Sequence, residues 1–233
     1  MKIPASNLPR RISTFKITEL PSIKDRVLQY SNLDRIIGET EITTCEPDSN
    51  YSSIVKVYIA KSDKKPNTYF FVDEIGEKLG FIELSACETI MHHEISYPLC
   101  IGKRKKNPGA IHIAEMKSFC SGTGNAMHEF AVVLSNKLDY KGRVILEAAR
   151  SSHIFHYLFG FRSVSQRNNE DIKQALEFAE QRVQDAAKRG KIISKKDYDS
   201  TYLGMINMHL PDDTIPEILN RAQIDLYDEQ YIF

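Results

Sequence analysis

Apolar and polar residues change period along this chain, and each change marks an element. Between residues 54 and 84 they alternate: Val55, Val57 and Ile59 with Lys56 and Tyr58, then the runs 69–73 and 79–84 around Gly76 and Glu77. Period two marks a half-buried strand, so three antiparallel strands are expected here, the first two joined by a basic, Pro66-containing turn over 61–67. From Met127 the period becomes helical, through Phe130, Ala131, Leu134 and Leu138. It does so again through Ile172, Leu176, Ala179, Val183 and Ala186, with Asn168 or Asn169 as the cap and Gly190 as the stop. Strands are expected at 111–117, 144–148 and 202–210, a short aromatic helix at 154–161 and another short helix at 215–222. Upstream, a strand is expected at 11–18, a helix opened by Pro21 and Ser22, a second helical piece over 32–37 stopped by Gly38, and a loop over 39–52. Residues 88–108 show no firm period.

The junction after the strand 111–117 carries candidate chemistry. Phe119, Cys120, Ser121, Gly122, Thr123, Gly124, Asn125 and Ala126 lead straight into the helical stripe that begins at Met127. The first N–H groups of a helix lack intrahelical acceptors and carry partial positive charge, and glycine lets a ligand approach the backbone. A strand, a glycine turn and a helix in that order suit a phosphate group.

Three local motifs, in this order of elements, resemble the GCN5-related N-acetyltransferase (GNAT) superfamily. Gly122-Thr123-Gly124 with Asn125 and Ala126 is similar to the second half of its acetyl-CoA pyrophosphate loop, (Q/R)xxGx(G/A). The stretch from Phe155 through His156 and Tyr157 to Gly160 and Phe161 resembles its FYxxLGF signature, and Gly80-Phe81-Ile82 its GF(I/V) strand. The resemblance implies an α/β acyl-CoA N-acyltransferase fold, a mixed and mostly antiparallel sheet flanked by helices. It implies one domain with a core over about 11–165, a final strand over 201–210 and a helical insertion over 166–200. Two departures stand out: Phe119 where the family most often has Gln or Arg, and His156 where many members have a tyrosine that protonates the leaving thiolate.

The same resemblance implies acetyl-CoA as co-substrate and a primary amine, on a protein or a small molecule, as acceptor. The backbone N–H groups of Gly122, Thr123, Gly124 and Asn125, with Ser121 and Ala126 beside them, would hold the pyrophosphate, so that a Cβ at Gly124 would intrude on the phosphates. The strand edge at Met116, Lys117 and Ser118 would pair with pantetheine and polarise the thioester. Glu115, placed in phase with Ile111 and Ile113 and partly buried, is the candidate base for an amine whose pKa is about 10.4. His156 is the candidate to give a proton to the departing thiolate or to help carry one from the amine, and Tyr157 is expected to pack.

Composition narrows the partners. Thirty-one basic and 31 acidic side chains cancel, so no global field draws the chain to nucleic acid or an anionic membrane. No apolar run nears the ~20 residues needed to span a bilayer, and Pro4 and Pro9 break the first residues, so a cytoplasmic protein is expected. The four cysteines show no CxxC spacing. Cys120 with His128, His153 or His156 forms a rival nucleophile–base reading. His92, His93 and Glu94 lack metal-ligand spacing, so no metal is expected, and Lys103–Lys106 is a candidate contact for the CoA 3'-phosphate. The long insertion points to a protein substrate, or to a non-catalytic GNAT-like module that binds a protein partner through the helix 169–188.

Overall fold

The structure is a computed structural model that describes residues 22–45, 52–87, 109–149, 152–190 and 204–227. The expected strand at 11–18, the segment 88–108 with His92, His93, Glu94 and the lysine cluster, and the start of the strand at 202–210 lie outside the described residues.

Helix α1 (Ile23–Ser31) starts at Ser22, whose hydroxyl and the Asp25 carboxylate form a reciprocal capping box, and it ends at Asn32 in the left-handed region. Strands β1 (Arg35–Cys45), β2 (Ser52–Ser62), β3 (Lys65–Asp73) and β4 (Lys78–Cys87) then form an antiparallel meander. Three expectations change here. Residues 32–37 are not a second helix, and the described part of the expected loop, 39–45, is strand, because β1 begins at Arg35 and pairs with β2 as far as Cys45. Its polar positions Glu39, Glu41, Thr43 and Thr44 weaken the apolar signal, and the cross-strand ladder overrides the local pattern. The β2–β3 turn tightens to Asp63 and Lys64, leaving Lys61 inside the strand.

Strand β5 (Ala110–Ser118) adds antiparallel to β4. Helix α2 (Thr123–Lys137) crosses over to β6 (Val144–Ala148), which lies parallel to β5. Helix α3 (Ser152–Phe159), a two-residue strand β7 (Arg162–Ser163) and the long α4 (Gln166–Lys188) follow. The cap of α4 is Ser165, whose hydroxyl accepts from the Asn168 N–H; Asn169 instead ties β7 down through Ser163. Strand β8 (Ile206–His209) lies between β6 and β7, and α5 (Ile215–Arg221) leads to β9 (Ile224–Leu226), an edge strand on β1 that the sequence pattern did not suggest.

Among the described residues the result is an α/β structure with one nine-stranded sheet, ordered β7-β8-β6-β5-β4-β3-β2-β1-β9 and mostly antiparallel. The main core joins the sheet to α2 and α3. Phe130 at its centre touches Tyr69 at 4.9 Å and Phe71 at 5.8 Å between ring centroids. A smaller cluster of Val27, Leu33, Tyr58, Ala60 and Val72 seats α1 against the alternate positions of β2 and β3, hence on the opposite face. No helix among the described residues is long and apolar enough to cross a membrane.

Candidate functional site

The site begins with a break in register. Glu83 of β4 stands opposite Glu115 of β5, yet Leu84 stands opposite Ile113, so Ala114 is an extra residue on β5. A bulge of this kind bends its strand and sharpens the twist. Strands β5 and β6 pair only over Ile111–Ile113 with Val144–Leu146, and they separate where the bulge falls. The gap opens a cavity of about 1160 Å³, a little larger than the ~300–1,000 Å³ usual for small-molecule sites. The edge of β5 from Ile113 to Ser118 forms one wall, Leu146, Glu147 and Ala149 another, and the turn and start of α2 (Cys120, Ser121, Gly122, Gly124 and Asn125) with α3 and α4 the rest.

The bulge also corrects the expectation for Glu115. Ile82 and Leu84 share the core face of β4, and their partners Met116 and Ile113 share it on β5; Glu115, opposite Glu83, therefore faces the other way. It is out of phase with Ile111 and Ile113, and it is exposed instead of partly buried. What this face offers instead is two carboxylates directly opposite each other, whose Cβ atoms such pairs hold about 5 Å apart.

At the head of α2, Gly122 adopts φ +84°, and no side chain caps the helix. The Thr123 N–H turns back to the Cys120 carbonyl at 3.4 Å, and the first intrahelical bond runs from the Ala126 N–H to the Gly122 carbonyl. Both glycines also lie close against their own neighbours. A Cβ at Gly122 would come within 2.4 Å of the Thr43 carbonyl oxygen, and one at Gly124 within 2.7 Å of the Phe155 ring. A side chain at Gly124 would thus also meet α3, a second constraint beside the one expected for that glycine. Glu115, Met116, Lys117, Ser118, Ser121, Gly122, Gly124, Asn125 and His156 all line the cavity, whereas Thr123 and Ala126 are buried and are not part of its lining. Phe119 is not part of the lining either; it is exposed and leans on Phe81 at 6.4 Å.

On the opposite wall His156 Nδ1 lies 2.9 Å from His128 Nε2. His128 is fully buried on α2 and boxed by the rings of Phe155, Phe159 and Phe161 at 4.4–5.1 Å. Burial, with His156 beside it, holds His128 far below the usual histidine range, and burial together with His153 pushes His156 down to about 4. Both rings are neutral at pH 7, so His156 does not stand ready as the protonated acid that was expected. Tyr157 packs against the core under the Arg162 guanidinium, 4.0 Å away.

Sequence reasoning brought together the glycine turn and His156 but missed three parts of the site. The Ala114 bulge has no local signature. Phe155 was read only as part of a motif, and His128 only as a base for Cys120. Of that rival's three bases, His128 is fully buried and bonded to His156 Nδ1, and among the described residues its Nδ1 has no partner. Helix α4 supplies Leu176, Ala179, Glu180, Val183 and Gln184 as a wall. Among the described residues no group of three or more His, Cys, Asp or Glu gathers as a metal site would need. Comparison with known proteins adds no relative: no family model matches the chain, and no curated protein matches it.

Proposed function

We propose that this protein is a divergent member of the GNAT superfamily that transfers an acetyl group from acetyl-CoA to a primary amine. The observation that carries this reading is the separation of the parallel pair β5 and β6 just after Ile113 and Leu146, beside an uncapped helix start. Strand-edge amides, a helix N-terminus and an apolar chamber in that order match a ligand with peptide-like amides, phosphates and a thioester. The N–H groups at the head of α2 would hold the pyrophosphate. The β5 edge over Met116–Ser118 would pair with the pantetheine amides and direct an N–H at the thioester oxygen as charge develops there. Glu115 and Glu83, on the far face of the opening, would draw in a cationic amine, and Glu115 would take its proton through water.

Titration with CoA and acetyl-CoA tests this. At a ligand concentration a hundredfold above Kd the folded state gains about 2.7 kcal/mol, which for a chain of this size raises Tm by roughly 5–10 °C. Deleting Ala114 should close β5 against β6 and abolish the shift. No shift at millimolar CoA in the intact chain overturns the reading.

One observation favours a non-catalytic, protein-binding module as the second reading: Phe178 is 57% exposed on α4, away from the core that the helix otherwise packs against. CoA binding with no turnover of acetyl-CoA toward any amine would select it.

A further inference from the structure

The two imidazoles can share their hydrogen bond in two ways, and the surroundings distinguish them. Among the described residues His128 Nδ1 is buried and has no partner. If His156 Nδ1–H were the donor, neutral His128 would carry its own proton on Nδ1, as an orphaned N–H enclosed by three aromatic rings. Buried N–H groups without acceptors are rarer and costlier than buried lone pairs without donors. The favoured arrangement has His128 Nε2–H donating to His156 Nδ1. A neutral His156 then carries its proton on Nε2, the ring nitrogen not used in the pair. That ring lines the cavity, and Nε2 is absent from the buried, unpartnered atoms.

We infer that His128 is a positioning residue that locks His156 as the Nε2–H tautomer, so that the cavity wall at this point presents a hydrogen-bond donor and not a base. The tautomer follows from the packing alone. Its target rests on the acetyltransferase reading: the donor would meet the thioester, steadying negative charge on the departing sulfur without giving up its proton. The aromatic box makes the lock firm, because the His128 ring cannot turn to another partner without displacing Phe155, Phe159 or Phe161.

Long-range nitrogen–proton NMR of the histidine rings in the whole chain, assigned with His128→Phe and His156→Phe, reads the tautomers directly. Expected in the wild type is a His156 with protonated Nε2 and bare Nδ1; a protonated Nδ1, or an average of the two forms, overturns the inference. His128→Phe keeps a ring in the box but no donor, so His156 should relax to a mixture, and His128→Gln, whose amide nitrogen reaches a similar place, should restore the single form. In acetyl-CoA turnover, His128→Phe should lower the rate about tenfold with CoA affinity unchanged, and His128→Gln should recover most of it. Equal rates in all three proteins would remove the catalytic part. Failure of CoA to bind at all would sink the acetyltransferase reading while leaving the ring NMR to decide the lock.

Discussion

The two halves of the sheet use the same pairing rules to opposite ends. From β1 to β4 each strand is laddered antiparallel to the next, and Phe130 seals the face with Tyr69 and Phe71. At β5 and β6 the parallel ladder lasts three residue pairs and then opens. Register shifts also occur within β1–β4, but each of those ladders resumes beyond the shift, whereas β5 and β6 do not pair past Ile113 and Leu146, and the crossover helix starts at the mouth of that gap. The closed half supplies the frame, and the end of the parallel ladder supplies the site.

The largest effect should come from the closed half. Phe130→Ala removes the ring beneath β3 and is expected to cost about 3–5 kcal/mol in urea denaturation, with the open half unfolding in the same transition. A loss below 1 kcal/mol would mean that the frame is not centred there.

Two further measurements address the open half. Gly124→Val should push the Phe155 ring off its stack on His128 and cost about 1–2 kcal/mol. Most of that cost should vanish in a Phe155→Ala background, and strict additivity would show that the two residues do not meet. Acid should also act here. His156 has its pKa depressed from 6.5 to about 4 on folding, so its contribution is fully present above pH 6.5 and is lost as the pH falls toward 4. The wild type should lose about 2 kcal/mol between pH 7 and pH 5 on this account, and His156→Phe should lose less. Lys61, the buried lysine of the closed half, is lowered only to about 8 and stays charged across that window, so an undiminished acid sensitivity in His156→Phe would place its source elsewhere.

The smallest effect concerns the wall. Ser165→Ala removes the hydroxyl cap of α4 and should cost about 1 kcal/mol, with faster amide exchange in the first turns of that helix and none in β1–β4.

Much of this arrangement was legible in advance where the pattern was local. The alternation at Val55–Ile59 and at 79–84, the stripes of α2 and α4, and the glycine turn each follow from short-range periodicity. The reading failed at β1, whose polar positions suit an exposed strand only because β2 lies beside it, and at β9, three residues that are a strand only because β1 offers an edge. It failed at Glu115 because counting by twos assumes an unbroken strand.

What the sequence determined by itself is the kind of element wherever the pattern is local: alternation makes strands, a stripe every three to four residues makes helices, and glycine allows the turn between them. Tertiary structure alone decided where the ladder breaks, which way Glu115 faces, and that His128 and His156, 28 residues apart, share a proton between buried nitrogens. Side-chain period is set by the backbone of one segment, whereas a bulge, an opening and a buried hydrogen bond depend on what a second segment brings to the first.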